Sequence, residues 1–219
     1  MPKKLSELRW YKIVEILYNN LESTFNINEI ARKADISSST SFELLKLAKK
    51  DEVVIRKEST KQHDYRINFS NRLARKTCEL VELQKVIRFF KNNRNYDIIF
   101  RDIKNELVQS LKDDLLVLII FGSIPRGYST KKSDIDILLI VPKKPRSYLK
   151  WEKNVDKVVE KIHAWHGREV SPIFISIDEF REKLREKHPF IIGLVKDHFI
   201  LHGSEIYMRE LFKWMEERL

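Results

Sequence analysis

Two aspartates one residue apart, Asp134 and Asp136, interrupt an apolar run that ends at Val141, and Gly122-Ser123 stands before them with ten residues between. In an extended chain the side chains at i and i+2 share a face, so the two carboxylates project together, about 7 Å apart, while Ile135 and Ile137 point the other way. Left unpaired in a core they would cost several kcal/mol. A hard divalent cation, Mg²⁺ or Mn²⁺, removes that cost; such ions also neutralise a triphosphate and align an in-line attack. Gly122 lets the backbone approach a phosphate closely. Ser123 adds a hydroxyl and an N–H at an expected helix N-terminus, with Pro125 in its first turn. The plainer reading, an edge strand whose acids face water, leaves the Gly-Ser pair unexplained.

The elements that must position these residues follow from periodicity. Residues 96–112 carry a helical pattern, and Leu115–Phe121 is a continuous apolar run expected to be a strand buried on both faces. A polar loop, Thr130–Ser133, leads to a second strand from Asp134 or Ile135 to Val141, which Pro142 ends. Arg168–Ser176 reads as a later strand, residues 178–187 as a helix with acids in its first turn, and residues 189–203 as a helix and a final strand. His163 and His166 suit surface roles; Trp151, Trp165, Trp214, Phe180, Phe190, Phe199 and Phe212 are expected in the core.

The first third reads differently. Residues 4–19 suit a helix with a broad apolar face, Asn26–Ala34 a short second helix, and Ser38–Lys50 a third whose residues 42, 44, 45, 47 and 48 would face inward. Two strand-like pieces follow, Val53–Lys57 and Tyr65–Phe69, around a polar tip. Three helices and then a hairpin with a basic tip resemble a winged helix-turn-helix over about residues 4–70. That resemblance implies DNA contact by Ser38, Ser39, Thr40, Ser41 and Lys46 of the third helix, with Lys49 and Lys50 near the backbone. The wing would add Lys57, Lys61, Gln62 and Arg66. Protein–protein contact is the alternative use of such a domain. Residues 71–93 suit a long amphipathic helix, a linker or a homodimer contact, and Cys78 within it is a packing residue. The expected division is therefore 1–70, 71–93 and 94–219.

Composition sets the class. The 219 residues are 42% hydrophobic, enough for one large domain or two small ones, each with its own core. No run of apolar residues is long enough for a membrane span, so none is expected, and residues 1–5 do not carry the apolar stretch expected of a secretory signal. One cysteine excludes an internal disulfide, which fits the cytoplasm. The net charge is +10, with an excess of seven positive charges in residues 1–92 and three in the remainder. A polyanion, nucleic acid above all, is expected to meet the N-terminal part; a solvated basic surface is the bland reading.

Gly122-Ser123, ten residues, then Asp134-Ile135-Asp136 resembles the signature of the DNA polymerase β-type nucleotidyltransferase superfamily, and most of all its minimal nucleotidyltransferase branch; Arg126-Gly127 and Ser133 fit the same pattern. The resemblance covers about residues 96–203 and implies an α+β fold with a mixed sheet flanked by helices. It implies a third carboxylate on a later strand, for which Glu169 is the candidate, so that Asp134, Asp136 and Glu169 would be the catalytic and metal-binding acids. The third acid could also take the acceptor proton. Gly122, Ser123, Arg126, Lys132 and Ser133, with Lys131, would hold the nucleotide. The implied reaction transfers an NMP, AMP from ATP being expected, to a hydroxyl on a protein such as a toxin-like partner, with RNA as another acceptor. The alternative is a DNA-binding transcriptional regulator that uses the nucleotidyltransferase fold as a nucleotide sensor or docking module without turnover.

Overall fold

The computed structural model describes residues 9–58, 63–130, 133–142 and 148–218. The chain divides into two units, Met1–Val81 with Met215–Leu219, and Glu82–Trp214.

In the first unit, α1 (Tyr11–Tyr18) buries Ile13, Val14, Ile16, Leu17 and Tyr18. The start expected before residue 9 lies outside the described residues. α2 (Ile27–Ala34) begins with a capping box: the Asn26 side chain accepts from the Asn28 and Glu29 amides, and the Glu29 carboxylate accepts from the Asn26 amide. α3 (Ser38–Lys50) is capped by Ser37, which accepts from the Thr40 amide. Its buried face is Ser41, Leu45 and Ala48. Phe42, expected to face inward, is 50% exposed, because it lies one residue, about 100° of helix, off that face. β1 (Val54–Glu58) and β2 (His63–Ile67) pair antiparallel from Val54↔Ile67 to Glu58↔His63. The hairpin starts one residue later than expected, since the Val53 amide bonds to the Ala48 carbonyl and so closes the end of α3.

α4 (Arg72–Asn92) fills the expected long helix. The second unit continues with α5 (Arg94–Leu111), a single 3₁₀ turn, β3 (Val117–Phe121), β4 (Ile135–Val141), α6 (Tyr148–His166) and β5 (Val170–Ser176), and then α7 (Ile177–Arg185), α8 (Pro189–Lys196), β6 (Phe199–His202) and α9 (Ser204–Glu217). Among the described residues its sheet has the order β5-β4-β3-β6. β4 runs parallel to β5 and antiparallel to β3, and β3 runs antiparallel to β6. On one face, Ile135, Ile137, Leu139 and Val141 join Leu118 and Ile120 in a core with Phe100, Ile103 and Leu107 of α5 and Val155 and Ile162 of α6. The other face is buried as well, through Val117 and Ile119 of β3 and Leu138 and Ile140 of β4, and α7 contacts β4 and β5. Burial on both sides is why these strands read as unbroken apolar runs. The α+β reading with a mixed sheet flanked by helices therefore holds for this unit. Trp165 departs from expectation: it is 51% exposed, with the Lys161 ammonium 4.6 Å from its ring centroid. No described helix is long and apolar enough to cross a membrane.

Candidate active site

At one end of the sheet the chain leaves β3 and enters β4 and β5, and the acids gather there. Phe121 pairs with Asp136, so the residue after β3, Gly122, comes against the Asp136 carboxylate. A Cβ at Gly122 would lie 2.0 Å from Asp136 Oδ2, and the residue has φ +80. Glycine is thus required twice, by the close approach and by the backbone conformation. The Asp136 carboxyl is pushed up from its ordinary value, first by burial and then by the charge of Asp134, with Arg126 pulling the other way. The two aspartates therefore share a face as the i, i+2 spacing predicts, with Asp134 exposed and Asp136 half-buried.

The register decides what stands beside them. β4 and β5 pair Ile135↔Val170 and Asp136↔Ser171. Ile135 and Val170 both belong to the core under α5 and α6, which leaves Ser171 on the carboxylate face. The Ser171 hydroxyl donates to Asp134 Oδ2 at 3.5 Å. Glu169 stands just before β5; its carbonyl accepts from the Ile135 amide at 2.9 Å, while its carboxylate lies 3.0 Å from His163 Nδ1. Among the described residues no three acids, histidines or cysteines form a metal-binding group. The structure thus brings Asp134 and Asp136 together with a serine hydroxyl and leaves the Glu169 carboxylate on His163. Two like-charged carboxylates whose mutual repulsion raises a pKa, joined by a hydroxyl oxygen, form a hard donor set that fits a divalent cation.

Residues 122–127 are a run of turns, which corrects the expectation of a helix starting at Ser123. Tight closures replace it, with the Gly127 amide donating to the Ile124 carbonyl at 3.1 Å and the Tyr128 amide to the Ser123 carbonyl at 3.2 Å. Gly127, at φ +82, turns the chain back in a conformation no helix allows. Arg126 reaches Asp197, Nε to Oδ2 at 3.6 Å. The Ser133 hydroxyl accepts from the Thr130 amide at 2.9 Å and so shapes the loop into Asp134. Lys131 and Lys132 lie outside the described residues. Arg168 was not singled out by sequence, yet it ties this end together: its guanidinium donates to the Tyr96 hydroxyl at 3.2 Å and to the Ser133 carbonyl at 2.6 Å. Ser171 was also passed over, although it lies two residues beyond Glu169 on the same strand face. Period-two alternation combined with the parallel register is the signal that finds it.

In the first unit Ser38, Ser39 and Thr40 are exposed at the start of α3, and Lys46 and Lys57 are exposed. Ser41 is not with them: it is fully buried, and its hydroxyl donates to the Ile27 carbonyl at 3.1 Å. Arg66 is half-buried, with its guanidinium pKa lowered by desolvation. Lys61 and Gln62 lie outside the described residues.

Residues 100–202 match the nucleotidyltransferase domain family. Two Methanocaldococcus jannaschii proteins, provisionally named protein adenylyltransferases, are similar. One is 26% identical over 51% of this chain and 77% of its own length, and the other 32% identical over 34% of this chain and 74% of its own. A chain in a crystal structure of a toxin–antitoxin with AMP-PNP aligns with 52% of this chain and 87% of its own, at 18% identity and a TM-score of 0.31, too distant to carry weight. The chain belongs to the nucleotidyltransferase domain family, and it is a nucleotidyltransferase enzyme.

Proposed function

We propose that this enzyme transfers AMP from ATP to a hydroxyl on a protein, with Asp134 and Asp136 as its catalytic carboxylates. The observation that carries the reading is the mutual arrangement of Gly122, Asp134 and Asp136 at one sheet end. The choice of AMP and of a protein acceptor is supported by the names of the two similar proteins.

Asp134 and Asp136, with the Ser171 hydroxyl, would hold a divalent cation, Mg²⁺ or Mn²⁺, which supplies charge neutralisation for the triphosphate. The remaining roles fall to the chain. At Gly122 the absent side chain lets the Asp136 carboxylate close on the turn, and Ser123 would offer its hydroxyl and amide to phosphate oxygens. Arg126 and Lys132 add positive charge, and Ser133 holds the loop that delivers Asp134. The acceptor oxygen attacks the α-phosphorus, the bond from that phosphorus to the bridging β-phosphate oxygen breaks, and pyrophosphate leaves. The hydroxyl proton would pass to a carboxylate at this end that does not hold the cation, the role for which Glu169 is the candidate. Glu169 would join the set only by leaving His163.

The first unit, read as a winged helix, would bind DNA through Ser38, Ser39, Thr40, Lys46 and Lys57, with Lys61, Gln62 and Arg66 as further contacts. An enzyme of this kind that also bound its own operator would act like an antitoxin. Salt-sensitive binding to upstream DNA, lost in Ser38→Glu/Lys46→Glu, tests that part; equal binding by wild type and variant overturns it. For the catalytic part, label transfer from ATP with Asp134→Ala/Asp136→Ala as the inactive control is the test.

A further inference from the structure

Beside the carboxylates lies a cleft of about 520 Å³, lined on one side by the junction of α4 and α5, residues 91–96, and on the other by Ser129, Thr130 and Arg168. It opens at the same sheet end as the candidate active site. The contacts between them form a chain. The Tyr128 amide bonds back to Ser123, and the hydroxyl of the next residue, Ser129, accepts from the Tyr96 hydroxyl at 3.4 Å. Tyr96 in turn accepts from Arg168, which holds the carbonyl of Ser133, the residue before Asp134.

The cleft is positively charged and its charge is uncompensated. Lys91, Arg94 and Arg168 line it, and among the described residues no carboxylate within ion-pair distance neutralises any of them. Arg168 spends its guanidinium on two neutral oxygens. Three cations around one concavity favour an anionic ligand, and confinement makes their field stronger than on a flat surface. The aromatic group present is not open for base stacking: the Tyr96 ring has the Arg168 guanidinium 5.3 Å from its centroid and Phe89 and Phe100 at 5.5 and 5.4 Å. A single-stranded nucleic acid would want that face free. Asn92 and Asn95 at the rim, both exposed, offer amide donors and acceptors of the kind an extended peptide backbone uses.

The geometry points to an acceptor-docking site: this cleft binds an acidic polypeptide segment and so presents a neighbouring hydroxyl to the nucleotide held at Asp134 and Asp136. The inference rests on the reading of the enzyme as a protein-directed AMP transferase, and it names the chemistry of the acceptor.

The test is binding first and transfer second. Fluorescein-labelled Glu–Tyr copolymer, Lys–Tyr copolymer and a short single-stranded RNA are titrated with the full chain at about 0.1 M salt, where screening is moderate. The Glu–Tyr copolymer is expected to bind and the Lys–Tyr copolymer not. Lys91→Glu/Arg94→Glu, both exposed positions, is expected to lower affinity for the Glu–Tyr copolymer at least about tenfold, and Lys91→Ala/Arg94→Ala by less, with ATP affinity unchanged within about twofold. Equal copolymer binding by wild type and variants overturns the proposal. A parallel loss of ATP affinity overturns it by giving the cleft to the nucleotide. Tighter binding of the RNA, lost in the same variant, overturns it in favour of a nucleic-acid acceptor. Because the binding arm needs no turnover, absence of label transfer with copolymer binding intact would count against the AMP-transfer reading and leave the cleft's preference standing.

Discussion

Gly122 and Asp136 are in contact across the β3–β4 pair, with no room between them for a single carbon: a Cβ on Gly122 would lie 2.0 Å from Asp136 Oδ2. The turn that would hold the phosphate and the carboxylate that would hold the metal are thereby locked in register. Displacing one displaces the other.

Gly122→Ala is expected to fold and to lose catalysis. The left-handed backbone costs an alanine about 1–2 kcal/mol, and the new methyl group must push the Asp136 carboxylate aside. A misplacement of that size costs roughly a hundredfold in kcat. Steady-state kinetics beside a thermal melt separate the two effects; a variant with near wild-type kcat would show that the contact has no catalytic role.

Asp136→Asn should make the protein inactive and more stable. The folded state raises the Asp136 pKa through burial and Asp134, so at neutral pH the ionised group is less well accommodated folded than unfolded. Above the folded pKa this weakens the protein, and the penalty fades as pH falls toward the ordinary aspartate value of 3.8. The variant's melting temperature should exceed wild type by a few degrees at pH 7, with the difference vanishing in acid. A lower melting temperature at pH 7 would mean that Asp136 is structurally paired.

Glu169 and Ser171 are the two candidates for the third position. Glu169→Ala is expected to lower activity less than about tenfold, while Asp134→Ala lowers it at least about a thousandfold. Ser171→Asp, placing a carboxylate where the register puts the face, is expected to tighten Mn²⁺ binding measured calorimetrically. If instead Glu169→Ala is as damaging as Asp134→Ala, the third acid is Glu169 after leaving His163.

His198 sets an acid limit on stability. It is fully enclosed near Glu82, Lys85, Asp197 and Tyr207, and burial lowers its pKa more than Glu82 raises it. His202 is lowered too, first by burial and then by Lys104. Both histidines stay neutral when folded and take protons more readily when unfolded. Stability is therefore full above pH 6.5 and falls as pH drops through the lowered folded values, by up to about 1.4 kcal/mol per pH unit for each proton. Urea midpoints measured across this range should decline, and less steeply in His198→Asn. A flat wild-type profile would argue against neutral buried histidines.

The sheet end was legible because its signals are local. Asp134 and Asp136 are set by period-two alternation, the Gly122 requirement by its place after a strand, and β4 by its apolar length. What escaped depended on pairing between distant strands. Ser171 reaches the carboxylate face through the Asp136↔Ser171 register, which no local pattern encodes, while Glu169 stands out in the sequence as the only acid of the segment Arg168–Ser176. Arg168 acts through Tyr96, which is 72 residues away. Phe42 and Ser41 were misplaced for a simpler reason: in α3 hydrophobicity and burial disagree by one residue, since the Ser41 hydroxyl finds the Ile27 carbonyl and is comfortable inside.

Transfer of the adenylyl group to a protein hydroxyl at Asp134 and Asp136 has a direct readout. The direct measurement incubates the full chain with Mg²⁺, the Glu–Tyr copolymer and ATP labelled at either the α- or the γ-phosphate, and follows label on protein together with released pyrophosphate. α-Label, and not γ-label, is expected to become acid-stable on the acceptor in step with pyrophosphate, and Asp134→Ala/Asp136→Ala is expected to abolish it. Label arriving from the γ-phosphate, or α-label transfer that survives loss of both aspartates, would contradict it.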